Sequence, residues 1–322
     1  MIEIISTILQ AKKIALFAHV NPDGDTLGCI CALHLALKKL NKISSMYCDG
    51  IVPEKFTHLS CKNEILNSEI KEKYDLYISL DSSSLDRIGK YASNFSSLEN
   101  TIQIDHHKTN TNFAKHNFVD FSKAACCEII YELITNLEVE IDEDIAKCII
   151  GGIYTDTGAF CNGNTTTNSF SIASKLAYKV PNLSELTFNI FRKRTLKEYT
   201  LLKKALSDSM FSLDNKVYVL YILNSTLADL GAKEQDTNYI ITASGMVDGV
   251  LINVFICESE KNVFKVGFRS HGNIDVSLIA ESLGGGGHKN ASGCSINGNF
   301  NLVLNTVLKE CQKELARWKK TV

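Results

Sequence analysis

Along the first half of the chain, short apolar runs alternate with segments whose apolar residues recur at helical spacing. Residues 14–18 (IALFA) are continuously apolar, as expected of a strand buried on both faces. A helical period follows over about 26–40, and residues 43–48, 75–80 (DLYISL) and 101–104 (TIQI) read as further strands. Helical periods are expected over 123–137, 143–155 and 167–180. This β-α-β rhythm predicts an α/β fold whose N-terminal domain is a parallel sheet with helices on both faces.

After Pro181 the texture changes. A charged helical stretch at 184–207 reads as a linker. Strands are expected at 217–223, 250–257 and 263–269, a short helix at about 275–283, a glycine-rich loop at 284–287 and a last helix at about 300–318. The predicted organisation is a catalytic domain at 1–183, a helical linker at 184–207 and a smaller C-terminal α/β domain at 208–322. Neither an internal repeat nor a low-complexity segment interrupts it.

Ligands of open parallel sheets collect beyond the carboxyl ends of the strands. Here three successive strands run into acids or histidines: His19, Asp23 and Asp25 after the first, Asp81 after the 75–80 strand, and Asp105, His106 and His107 after 101–104. Surface acids do not ordinarily punctuate each buried strand in turn, so the pattern points to a shared site.

Composition narrows the class. The 322 residues are 45% hydrophobic and 22% charged, enough apolar material for a core. A net charge of −2 gives no global basic field for long duplex nucleic acid, although a local positive pocket is compatible with it. The N-terminal stretch lacks a basic region followed by a long apolar run, so no secretory leader is expected. No apolar run approaches the roughly 18 residues that span a bilayer. The eleven cysteines are odd in number, scattered and without zinc-site spacing, which suits reduced, buried thiols in a cytoplasmic protein.

Five segments carry chemistry. The loop His19-Val20-Asn21-Pro22-Asp23-Gly24-Asp25 places one imidazole and two carboxylates where alternate residues can point into one pocket, a donor set that suits Mn²⁺-like ions. The plain alternative is that Asp23 or Asp25 caps the following helix. Asp81 in LDSSSLDRIG is a strand-end acid, weak alone. In Asp105-His106-His107 the two histidines cannot both face one way from a regular strand. One is suited to a metal, the other to substrate, with Asp105 as an outer orienter. Asp156 in GGIYTDTGAF is flanked by small residues that permit close backbone approach. Finally, Gly284–Gly287 can offer backbone N–H groups to an anion, with Arg269, Ser270 and His288 nearby in sequence.

Together these motifs resemble the DHH/DHHA1 phosphoesterase family in order and spacing, from about residue 10 to about residue 300. The compact form is similar to its oligoribonuclease branch, often called nanoRNase. That resemblance implies two divalent metal ions, Mn²⁺ foremost. It implies His19, Asp23 and Asp81 as ligands of one ion and Asp25, Asp81, His106 and Asp156 as ligands of the other, with Asp81 bridging. His107 would contact phosphate, with Asp105 behind it. Arg269, Ser270, Gly285, Gly286, Gly287 and His288 would form a substrate clamp. Cys29 stands where relatives often have serine, and an effect on packing is expected there.

The activity implied is cleavage of dinucleotides to pentanucleotides, as short single-stranded RNA or DNA, to mononucleotides. Dephosphorylation of 3′-phosphoadenosine 5′-phosphate would accompany it. The alternatives are a phosphodiesterase for cyclic di-AMP or linear pApA, an inorganic pyrophosphatase, disfavoured by the GGGGH segment, and a non-catalytic nucleotide sensor, disfavoured by the intact ligand set. The chain is expected to be a monomer or homodimer without a membrane partner.

Overall fold

The apolar run at 14–18 lies at the centre of the first sheet. The computed structural model describes residues 1–243 and 247–319, and the chain divides into two units, Met1–Lys193 and Arg194–Val322. The first contains α1 (Ile2–Gln10), β1 (Lys13–Ala18), α2 (Gly24–Lys39), β2 (Ile43–Cys48), β3 (Ile65–Leu66), β4 (Leu76–Leu80), α3 (Ala92–Ser96), β5 (Thr101–Asp105) and β6 (His116–Val119). Helices α4 (Cys126–Asn136), α5 (Glu143–Thr157), α6 (Thr167–Ala177) and α7 (Leu183–Thr187) complete it.

The sheet order is β3-β2-β1-β4-β5-β6 and every pairing is parallel. The chain leaves β1 toward β2 on one side and returns to β4 on the other, so the topological switch point lies between β1 and β4. A crevice opens there beyond the strand ends.

Strand alternation explains the two faces. Ile14, Leu16 and Ala18 pack into a core with residues of α2, α4 and α5. Ala15 and Phe17 point to the opposite face, where Tyr47, Tyr77, Tyr91 and Phe95 close around them. Phe17 stacks on Tyr47 at 5.6 Å and meets Phe95 edge-on at 5.8 Å. Burying each such side chain is worth about 2–3 kcal/mol. The contact between α2 and α5 needs small residues. A Cβ at Gly152 would lie 2.2 Å from Cys127 Sγ and 2.8 Å from Asp25 Oδ1, so the glycine lets α5 approach the side chains that hold the site.

The second unit contains α8 (Leu196–Ser207), β7 (Met210–Ser212), β8 (Val217–Ile222), α9 (Asn224–Asp229), α10 (Ile240–Ala243), β9 (Ile252–Glu260) and β10 (Val263–Ser270). It continues with α11 (Val276–Ser282), β11 (Gly286–His288), β12 (Ala291–Asn297) and α12 (Phe300–Trp318). Its sheet is mixed, in the order β11-β12-β10-β9-β8-β7, with only β8 and β9 parallel. One face packs on α11 and α12, the other on α8 and α10.

The expected glycine loop is only half a loop. Gly286–His288 forms an edge strand antiparallel to β12, in register Gly286↔Gly293 and Gly287↔Ser292. The four glycines hid this strand, because strand propensity resides in the side chains that glycine lacks.

Candidate metal centre

Each acid predicted from the strand ends reaches its place by a distinct local device. After β1, Asn21 takes a left-handed conformation (φ +53°) and turns the chain into α2. Asp23 caps that helix: its Oδ1 accepts from the N–H groups of Asp25 and Thr26 at 3.0 and 3.1 Å. The cap and site readings of Asp23 are therefore compatible, since Oδ2 remains turned toward His19 Nε2 at 3.8 Å. Asp25, in the first turn of α2, is fully buried against the start of α4, and its two oxygens accept from the N–H groups of Cys126 (2.6 Å) and Cys127 (2.9 Å). The positive end of that helix steadies a buried carboxylate.

Asp81 follows β4 with φ +56°, a conformation that few residues other than glycine, asparagine and aspartate enter without strain. Backbone strain of this kind concentrates at functional positions. Its two oxygens face different partners. Oδ2 is 3.8 Å from His19 Nε2, while Oδ1 is 3.5 Å from His106 Nε2 and 3.7 Å from His107 Nδ1. Asp156 sits in the last turn of α5, with Oδ2 3.3 Å from His106 Nε2.

The histidines are set by backbone carbonyls. His19 Nδ1 is 2.7 Å from Val20 O, and His106 Nδ1 is 3.2 Å from Lys123 O. A carbonyl can only accept, so Nδ1 carries a proton in both rings, and Nε2 is the nitrogen turned toward the carboxylates. Metal-binding histidines are commonly oriented by such a bond. His107 is arranged differently: its Nδ1 lies 2.7 Å from Asp105 Oδ1, and Asn110 Nδ2 donates to Asp105 Oδ2 at 2.5 Å.

Among the described residues the carboxylate and imidazole donors form three groups, each within 4.8 Å: His19 with Asp23 and Asp81, Asp25 with His106 and Asp156, and Asp81 with His106 and His107; a fourth joins Asp25 to the thiols of Cys29 and Cys127. Asp81 Oδ1 and His106 Nε2 are buried polar atoms without a hydrogen-bond partner. Burying such atoms unpaired is unfavourable, and cations among them would satisfy both. Oxygen and imidazole donors in this mixture suit divalent first-row ions and Mg²⁺.

Electrostatics agree with the crowding. Burial, then the neighbouring Asp25 and Asp23, push Asp81 well above the usual carboxylate range. Burial and Asp25 raise Asp156 to about 7, and burial raises Asp25 against the pull of His106. Burial opposes charge on His106, yet Asp156 and Asp25 lift it to about 10. For Asp105 burial works upward, but His107 and Asn110 prevail and hold it low. Outside a cation's field the cluster thus keeps protons that binding would displace.

In the second unit, Arg269 is half-buried, donates to Phe268 O at 2.9 Å and forms no ion pair among the described residues. Desolvation lowers its guanidinium. Ser270 Oγ is engaged within the unit, donating to Ile274 O at 2.9 Å and accepting from Asn290 Nδ2 at 3.0 Å. A Cβ at Gly285 would meet Gly293 O at 2.1 Å, and one at Gly287, where φ is +143°, would meet Ser292 Cα at 2.6 Å, whereas Gly286 has open space. Glycine at 285 and 287 thus already serves the hairpin's packing. The side chain of His288 lies outside what the structure describes.

Sequence reasoning missed the supporting shell: the N–H groups of Cys126 and Cys127, Lys123 O, Asn110, and Arg87, whose Nη2 lies 3.2 Å from His19 Nδ1. Arg87 alone had a signal, a basic residue six positions after Asp81. The rest are backbone groups or common polar residues whose partners lie far away in sequence. Among the described residues no helix is long and apolar enough to cross a membrane.

Comparison with known proteins bears on the whole chain. The family model described as "DHH family, N-terminal domain" matches residues 13–153, and the "DHHA1 domain" model matches 214–317. The chain is 32% identical over 320 residues to the "Bifunctional oligoribonuclease and PAP phosphatase NrnA" of Thermus thermophilus, covering 98% of this chain and 94% of that one. A protein of the same name from Mycoplasma genitalium is 29% identical over 320 residues, covering 97% of both. A solved exopolyphosphatase-related protein of Bacteroides fragilis shares the fold, with a TM-score of 0.90 at 21% identity, over 99% of this chain and 96% of that one.

Proposed function

The chain belongs to the DHH family and carries a DHHA1 domain, and from that premise we propose that it is a Mn²⁺-dependent phosphoesterase that cleaves very short oligonucleotides to mononucleotides and removes the 3′-phosphate of 3′-phosphoadenosine 5′-phosphate. The observation that carries this reading is the sharing of Asp81, whose Oδ2 faces the His19 group and whose Oδ1 faces the His106 group. A single binding site has no need of a buried acid poised between two donor sets. The relatives named for oligoribonuclease and PAP phosphatase activity, similar to this chain over nearly its full length, support the substrate class.

In this reading His19, Asp23 and Asp81 hold one cation, and Asp25, Asp81, His106 and Asp156 hold the second. Cations in such a donor set acidify water and offset phosphate charge. The protein does the rest. The α4 N–H groups fix Asp25, and the carbonyls of Val20 and Lys123 fix the tautomers of His19 and His106. Asp105 holds the proton of His107 at Nδ1, which orients the ring so that Nε2 can meet a phosphate oxygen. Arg269 and the edge of β11 have the chemistry of a surface that holds the substrate's anionic end.

The test is hydrolysis of RNA from dinucleotide to decanucleotide, alongside pApA, cyclic di-AMP and 3′-phosphoadenosine 5′-phosphate, each with Mn²⁺, Mg²⁺ or EDTA. The expected result is rapid, EDTA-sensitive loss of the shortest RNAs. Turnover of cyclic di-AMP alone would replace this reading with a signalling phosphodiesterase, and turnover of nothing would favour a sensor.

A further inference from the structure

Arg87 stands beside the cluster and takes no part in the two donor sets. Arg87 follows Asp81 on 3₁₀ turns spanning Leu85–Tyr91. Its Nη2 lies 3.2 Å from His19 Nδ1. That nitrogen already gives its proton to Val20 O at 2.7 Å, so it cannot also accept from the guanidinium. The contact is therefore one of proximity. Among the described residues Arg87 forms no ion pair within 4.0 Å. A half-buried guanidinium keeps its fixed charge and a fork of N–H donors beside a cluster of carboxylates, yet none of those carboxylates takes it as a partner.

The backbone holds this side chain in place. Val20 N–H donates to Arg87 O at 2.7 Å, tying the segment directly to the His19 loop. Ile88 and Tyr91 of the same segment are buried. Gly89 turns the chain at φ +61°, and Lys90 N–H donates to Asp49 Oδ2 at 2.8 Å. A solvated surface arginine needs no such anchorage.

We propose that Arg87 is a phosphate-binding residue: its fork receives oxygens of the substrate phosphate on the His19 side of the cluster, while His107 serves the opposite side. The reason is charge and reach. His19 shows Nε2 to Asp23 and Asp81 and Nδ1 to Arg87, so the guanidinium stands one imidazole ring away from the carboxylates. A phosphate drawn to cations in the cluster would come within range of a planar fork that matches its oxygens. This assignment rests on the proposed phosphoesterase reading.

The experiment compares the full chain with Arg87→Gln and Arg87→Lys. Mn²⁺ affinity is read from the electron paramagnetic resonance of free Mn²⁺, and binding of inorganic phosphate to the Mn²⁺-loaded protein from ³¹P line broadening. The expectation is Mn²⁺ affinity within about twofold of wild type and phosphate binding weakened about tenfold in Arg87→Gln, with Arg87→Lys between, because an ammonium keeps the charge but loses the fork. Dinucleotide kcat/KM should fall about 100-fold in Arg87→Gln. Unchanged phosphate binding in both variants would overturn the proposal. So would a loss of Mn²⁺ affinity large enough to account for the whole effect, since Arg87 would then only position His19. If wild type cleaves no oligonucleotide yet binds phosphate in an Arg87-dependent way, the phosphoesterase reading fails and the phosphate site stands.

Discussion

The acid–histidine cluster of the first unit and the arginine–glycine hairpin of the second were both visible as motifs, but they are built on opposite principles. The cluster draws four separated segments together and crowds carboxyl groups against one another, against burial and mutual repulsion. The hairpin is local: Gly286–His288 pairs with Ala291–Asn297 a few residues later, and two of its glycines answer to backbone packing. The difference teaches that a chemical role is most legible where the fold accepts an unfavourable arrangement. Where residues are already accounted for by packing, the motif alone says less.

The largest test of this contrast is Asp81→Asn. Asparagine tolerates the left-handed backbone, so the fold should persist, while kcat falls about 1000-fold. Replacing a buried, crowded carboxyl group by a neutral amide should also raise the melting temperature of the metal-free protein. Activity near wild type would break the two-cation reading. Arg269→Gln should act differently, raising KM about 10- to 100-fold with kcat little changed, as loss of uniform binding does. Steady-state kinetics on one dinucleotide separate the two patterns. A fall in kcat alone would place Arg269 with the reacting atoms.

Next in size is Gly152→Ala, where the new methyl meets Cys127 Sγ and Asp25 Oδ1. Overpacking there should cost about 2 kcal/mol in chemical denaturation and should weaken Mn²⁺ binding as well, because Asp25 is displaced. Within the hairpin, Gly285→Ala should disrupt pairing with β12 and lower the melting temperature, whereas Gly286→Ala has open space and should leave melting within error. Equal effects at 285 and 286 would contradict the packing account.

The smallest effect is a pH slope. Asp156, at about 7 in the folded chain against an ordinary 3.8, contributes stability that is present below about 4 and is lost as pH rises through about 7. Asp25 and Asp81 act in the same direction. His106, raised from 6.5 to about 10, adds stability that is lost only as pH rises through about 10. The melting temperature in EDTA should therefore decline from pH 5 to 9. With excess Mn²⁺ the decline should vanish, because binding needs the deprotonated ligands. A metal-free melting temperature that rises over that range would mean the carboxylates are not crowded as described.

The sequence by itself determined the alternation of strands and helices, because buried parallel strands must be continuously apolar and helices must repeat every 3.6 residues. It also determined which residues could act, since Asp and His at the ends of buried strands have few other reasons to be there. Only the tertiary structure decided which strands are neighbours. The order β3-β2-β1-β4-β5-β6 brings the loop of His19 beside Asp81, and Asp81 beside the Asp105–His107 segment, and strand order depends on packing between elements far apart in the chain. The edge strand at Gly286–His288, the cradle that Cys126 and Cys127 make for Asp25, and the place of Arg87 beside His19 were likewise hidden. Each rests on backbone hydrogen bonds or close contacts across the fold, and the identity of a residue carries no record of the partner its backbone will meet.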